Sequence, residues 1–310
     1  MHRPSPSGCR PRRGARLLTA FVALVTLAGV LTSTASAQIP TTIHGVQVIK
    51  RESASDSVNQ KGIFTACPQG KVLISPGGRI TPLSTNSDNF SPIASFQQLV
   101  EEETLKGASA LGRELPFGTL DRWRITASAI CAFAPTGRVV VKATSVRNSE
   151  TTKSVSVSCP FGKTLLGPTA RVNSGSGHVI LDDFTPTADR KSVVLRAFED
   201  SLGTSEDWSL TAGAICVSGD PLEVERIVSD SAVNSNLIKG ANAKCSTGKT
   251  VIGVGGEISG GNGNVSFNAI SPLDGGVSDQ SVNVNAREIN GGTTSNWSVR
   301  AFAICARTAA

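Results

Sequence analysis

Trp123-Arg124-Ile125-Thr126-Ala127-Ser128-Ala129-Ile130-Cys131 recurs twice, as Trp208-Ser209-Leu210-Thr211-Ala212-Gly213-Ala214-Ile215-Cys216 and as Trp297-Ser298-Val299-Arg300-Ala301-Phe302-Ala303-Ile304-Cys305. Side chains alternate faces along a strand, so Trp123, Ile125, Ala127, Ala129 and Cys131 share one face while Arg124, Thr126 and Ser128 share the other. A helix would scatter Trp and Cys over a polar surface, and the two-residue period therefore reads as a strand. Three copies of one strand, each with its own upstream landmarks, define an internal repeat.

Each copy opens with Cys-x-x-Gly-Lys, at Cys67 to Lys71, Cys159 to Lys163 and Cys245 to Lys249. A Ser/Thr-Pro step follows at Ser91-Pro92, Thr185-Pro186 and Ser271-Pro272, and then Glu114, Glu199 or Glu288, nine residues before Trp123, Trp208 or Trp297. The second copy reads as strands near Val139 to Ser145, Ser154 to Cys159, Lys163 to Asn173, Val179 to Phe184, Ser192 to Phe198 and Trp208 to Cys216. Ser174 to Gly177 and Gly260 to Gly263 are hairpin signals, because glycine supplies the positive φ of such turns. In the first copy Phe96, Leu99 and Val100 lie at helical spacing beside Glu101-Glu102-Glu103, so a short inserted helix is expected within Ser95 to Gly107, with the glutamates as a solvated charge run. The expected fold is all-β, with repeats at 38–135, 136–220 and 221–310. It is either one pseudo-threefold body or three packed sandwiches. An immunoglobulin domain is disfavoured, since its Trp follows the first cysteine closely and here it shares the strand of the second.

Residues 1–37 read as an export signal. Arg3, Arg10, Arg12, Arg13 and Arg16 precede the apolar run Leu17 to Leu31, and Ala35-Ser36-Ala37 supplies the small-residue cleavage site before Gln38. Gly14-Ala15-Arg16 is a poor continuation of a twin-arginine signal after Arg12-Arg13, so the general secretory route is expected. Five of the 30 basic residues lie in this leader, which leaves 25 against 24 acids, a net of +1. That charge provides no field for a nucleic-acid partner. With 39% hydrophobic residues the chain has the means to bury a core. No later stretch has the length and apolarity of a membrane helix.

Of the seven cysteines Cys9 lies in the leader, and the other six, Cys67, Cys131, Cys159, Cys216, Cys245 and Cys305, make an even set in an exported chain. The threefold repeat singles out the pairing in which each copy staples itself: Cys67 with Cys131, Cys159 with Cys216, Cys245 with Cys305. Metal ligation is disfavoured because no two of these cysteines are closer than 28 residues. No cofactor or metal is expected.

Catalytic signals are weak. His178 shares a strand face with Asp182, a conceivable His/Asp pair, but a polar residue after a glycine turn is ordinary there. Gly162-Lys163-Thr164 and Gly248-Lys249-Thr250 end like a phosphate-binding loop without its first glycine. Glu114, Glu199 and Glu288 invite two readings: carboxylates converging on a threefold axis, or structural partners of Lys71, Lys163 and Lys249 within each repeat. Repetition in all three copies favours the second. The Trp residues face the core, which leaves Phe90, Phe96, Phe117 and Phe184 as aromatics near loops, where sugar contacts are made or β cores are sealed.

In the steps Cys67-Pro68-Gln69-Gly70-Lys71 and Cys159-Pro160-Phe161-Gly162-Lys163, the glycine-rich hairpin and the closing Trp to Cys strand, the chain resembles a group of exported bacterial three-repeat proteins without an established activity. By the Cys-Pro-x-Gly step and the threefold count it is also similar to the vitelline membrane outer layer family, which implies a β-prism with pseudo-threefold symmetry. The expectation is a secreted, non-enzymatic module at the cell surface or outside it, whose partner is a polysaccharide or cell-wall polymer. The competing class is a hydrolase or lyase acting on a polysaccharide through carboxylates such as Asp182, Asp183 or Glu199.

Overall fold

The three-residue turn between the first cysteine and the following lysine closes identically in all copies. In a computed structural model, Lys71 N–H donates to Pro68 O, Lys163 N–H to Pro160 O and Lys249 N–H to Ser246 O, at 3.0 to 3.1 Å. Gly70, Gly162 and Gly248 stand at the third turn position with φ of 81°, 75° and 81°, a conformation that penalises other residues. The structure describes residues 41–83, 94–102, 106–116, 118–274 and 280–310. Ser91-Pro92, Glu103, Phe90, Phe117 and the leader lie outside them.

Each repeat contributes six strands. Repeat 1 follows a short β1 (Ile43–His44) with β2 (Gln47–Glu52), β3 (Gln60–Ala66), β4 (Lys71–Pro82), β5 (Ala94–Glu102), β6 (Gly107–Glu114) and β7 (Trp123–Phe133). Repeat 2 has β8 (Val139–Thr144), β9 (Thr152–Ser158), β10 (Lys163–Asn173), β11 (Val179–Pro186), β12 (Ser192–Glu199) and β13 (Ser209–Ser218). Repeat 3 has β14 (Glu225–Asp230), β15 (Ile238–Lys244), β16 (Thr250–Ser259), β17 (Val265–Asp274), β18 (Gln280–Glu288) and β19 (Ser298–Ala306), and β20 (Thr308–Ala309) pairs with β1. No helix occurs among the described residues.

The sheets do not follow the repeats. Sheet I has the order β3-β6-β5-β10-β13-β8, sheet II β14-β19-β16-β11-β12-β9, and sheet III β15-β18-β17-β4-β7-β2. Every sheet therefore joins three strands of one repeat to three of another, and sheet III closes the ring by joining repeat 3 to repeat 1. Gln38–Ala310 make one compact unit. Of the two arrangements open to the sequence, this is the single pseudo-threefold body, in which no repeat owns a sheet.

Expected and observed strands of repeat 2 agree closely. The inserted helix in repeat 1 is a correction: its site is β5, paired antiparallel with β6. The register slips between Phe96 and Gln98, leaving one extra residue, so Phe96 and Leu99 both turn inward despite a spacing of three. A β-bulge thus imitates a helical period. Glu101 is a second correction, since it is buried and paired with Arg138 instead of solvated.

Bulges also set the centre of the molecule. In β4, β10 and β16 the register slips at Ile74, Leu166 and Ile252, all fully buried. These three strands contact one another around the pseudo-threefold axis. The residues after the bulges are Ser75, Gly167 and Gly253, where backbones approach so closely that a Cβ on Gly253 would lie 1.9 Å from Leu166 O. Ser75 fits because its buried Oγ accepts the Val254 N–H at 3.2 Å.

The three disulfides are Cys67–Cys131, Cys159–Cys216 and Cys245–Cys305, with Cα separations of 5.7, 5.8 and 5.8 Å. Each lies within one repeat yet joins two sheets. Cys67, for example, follows β3 of sheet I, whereas Cys131 is in β7 of sheet III.

Candidate functional site

Threefold symmetry separates residues that build the fold from residues free to do something else. Trp123, Trp208 and Trp297 are fully buried, and each donates its indole N–H to a glutamate: Trp123 to Glu114 Oε1 at 3.0 Å, Trp208 to Glu199 and Trp297 to Glu288 at 2.9 Å. The second carboxylate oxygen accepts a backbone N–H from Thr119, Thr204 or Thr293 at 3.1 to 3.2 Å. A buried carboxylate is retained where its charge is met by such donors. Each glutamate is therefore bound within its own repeat, and the converging triad does not form.

The expected lysine partners of these glutamates are also corrected. Lys71 Nζ donates to Gln47 Oε1 at 3.1 Å, Lys163 to Gly137 O at 2.5 Å, and Lys249 pairs with Glu225 at 2.8 Å. They reach the first long strand of their repeat or its entry, because the turn that carries them sits at the opposite edge from the Trp loop. A different lysine meets the Trp. Lys61, Lys153 and Lys239 are buried with Nζ over the indole rings at 5.0, 4.7 and 4.7 Å, and each also bonds Asp56, Asn148 or Asn234. Burial lowers the pKa of Lys239. Sequence reasoning missed this set, although Asp/Asn-x4-Lys stands at a constant distance before the first cysteine of every repeat.

His178 bonds Asp200 at 3.1 Å and not Asp182. Asp200 is buried and accepts N–H groups from Leu202 and Gly203 and the Asn290 amide, so it fastens a loop of repeat 2 to repeat 3. Phe96 and Phe184 belong to the core, whereas Phe161, in the second Cys-x-x-Gly-Lys turn, is fully exposed. Among the described residues no three His, Cys, Asp or Glu side chains are grouped to hold a metal ion, and no helix is long and apolar enough to cross a membrane.

Symmetry breaks on the outer faces. Across sheet II the cross-strand row runs Asp230, Arg300, Glu257, Asp183, Arg196. Arg300 bonds Asp230 at 2.6 Å and lies 3.6 Å from Glu257, and Arg196 lies 2.9 Å from Asp183 and 3.5 Å from Asp182. Asp182 is the bulge residue of β11. The equivalent row of sheet III holds Arg79, donating to Asn283 at 3.1 Å, with Asn285 beside it. On sheet I the row holds Arg171, Gln98 and Leu111. The equivalent rows thus differ in character: alternating acids and arginines on sheet II, an arginine with asparagine amides on sheet III, and an arginine with Gln98 and Leu111 on sheet I.

Burial, then the neighbouring Asp183 charge, hold Asp182 well above the usual carboxylate range against the pull of Arg196. Asp183 is raised by burial first, and Arg196 opposes it. A raised native pKa means that ionised Asp182 destabilises the fold above that pKa, and that the penalty is relieved as pH falls through it toward 3.8. Asp182→Asn is expected to stabilise the protein at neutral pH, with the gain shrinking as pH falls toward about 4. Denaturant midpoints of both proteins across that range check this, and a pH-independent difference would refute it.

The chain matches no protein-family model and no curated protein. What fold and site define is a class: a disulfide-stapled, three-repeat β protein with three chemically distinct outer faces.

Proposed function

We propose that this is an exported, non-enzymatic binding or structural module for an extracellular polymer or cell-surface component. The observation that carries the reading is the division of labour just described. The residues common to all repeats are consumed by the fold, while equivalent outer positions vary in charge and hydrogen-bonding character. A compact body with three polar sides suits contacts to several segments of one polymer, where linked weak contacts multiply. The export signal read in residues 1–37, the disulfides and the near-neutral remainder of the chain support an extracellular setting.

One observation favours the runner-up, a carboxylate-dependent hydrolase or lyase. Asp182 and Asp183 have perturbed affinities for protons and adjoin Glu257. Carbohydrate cleavage uses two carboxylates of differing protonation. Against it, Arg196 and Arg300 already engage this row. A pull-down on soluble and insoluble extracellular polysaccharides, run beside a product assay on the same polymers, separates the readings. Retention without products is expected. Turnover that disappears in Asp182→Asn or Asp183→Asn would replace the proposal with the enzymatic one.

A further inference from the structure

A cleft of about 260 Å³ opens on the outer face of sheet I, lined by Gln60, Gln98, Arg113, Arg171, Asn173 and Ser174 among others. That is just below the roughly 300 Å³ at which ligand pockets usually begin, enough for a charged group and its nearest substituents. It lies on the seam between repeats, where Arg171 of β10 is the cross-strand partner of Gln98 of β5. Gln98 in turn faces Leu111 of β6, and Arg113, two residues further on, points to the same side.

Two guanidiniums therefore share one small cleft, and neither has an ion-pair or hydrogen-bond partner among the described residues. A third, Arg147, is anchored at the rim by donating to Ser174 Oγ at 3.1 Å. The carboxylate next to this rim, Glu206, is taken up by Gly175 N–H at 3.1 Å and Ser176 Oγ at 2.6 Å. Arginine stays charged at any ordinary pH, so Arg113, Arg171 and Arg147 against the single carboxylate of Glu206 leave the cleft and its rim with a net positive potential. The fold does not demand arginine at these positions, because sheet II carries Glu257 and Phe198 there; sheet III keeps both as Arg79 and Arg287, but there Arg79 is engaged by Asn283 at 3.1 Å.

We infer that this cleft binds the carboxylate or phosphate group of an acidic extracellular glycan, an inference that rests on the polymer-binding reading above. The guanidinium fork matches either oxyanion geometrically, and the surrounding amide and hydroxyl side chains suit the hydroxyl groups of a sugar.

The test uses the secreted protein and three probes at fixed ionic strength: polygalacturonate, poly(glycerol phosphate) and neutral dextran. The variants are Arg113→Gln/Arg171→Gln and, as a charge control on sheet III, Arg51→Gln. Affinity electrophoresis is expected to show wild type retarded by at least one charged polymer. The double variant should lose at least tenfold in affinity, and Arg51→Gln less than about twofold. The retarding polymer distinguishes carboxylate from phosphate. Undiminished binding by the double variant would overturn the cleft while leaving polymer binding in place. Retardation by dextran alone would overturn the anionic ligand and again spare polymer binding, whereas no retardation by any polymer would remove both.

Discussion

Gly253→Ala is expected to lower the unfolding free energy by about 3 kcal/mol or more, which makes it one of the most damaging single-methyl additions in the molecule. The new Cβ would meet Leu166 O at 1.9 Å. That oxygen is backbone in β10, a central strand of another sheet, and moving it disturbs all three strands at the axis. Gly248→Ala provides the comparison. Its φ is 81° and no atom lies within 4 Å of the added methyl, so its cost is the left-handed conformation alone, about 1 to 2 kcal/mol. Urea denaturation followed by the fluorescence of the three buried Trp residues measures both. If Gly253→Ala proves no worse than Gly248→Ala, the close approach at the axis is wrong.

Removing one disulfide, as Cys159→Ala/Cys216→Ala, is expected to cost about 4 kcal/mol, the chain-entropy value for a loop of this size. The sequence separations are 64, 57 and 60 residues, so the three bridges should cost nearly the same. The mode of unfolding is more telling than the magnitude. Because strands of repeat 2 lie in sheets I and II with strands of both other repeats, loss of its bridge should leave a single transition at lower denaturant. Three self-contained sandwiches would instead release one repeat in a separate early step. Two resolved transitions in the double variant would contradict the shared-sheet topology.

A reading of residue types and periods captured what is local and repeated. The alternation in Ala127, Ala129 and Cys131 placed the closing strands, and the recurrence of Cys, Glu and Trp at constant spacing fixed the repeat and the cysteine pairing. Local periodicity failed at β5, where a bulge adds a residue and makes a strand look helical. It failed again at the partners of the glutamates: the Trp nine residues away was in view, but it is the single connection between consecutive strands that turns it back onto the carboxylate, and a separate strand that places Lys61, Lys153 or Lys239 over its ring. The exchange of strands between repeats was equally hidden, since a strand's sequence states which face is buried and not which neighbour supplies its hydrogen bonds. Gly167 and Gly253 look like any strand glycines until three backbones converge on them. The cleft of Arg113 and Arg171 draws on residues 58 positions apart in two repeats. Composition, period and spacing are properties of the chain and determined the all-β, stapled, threefold character, whereas the clefts and charged rows that offer chemistry depend on which strands pair side by side within a sheet, and those partners come from different repeats, which only the folded structure decides.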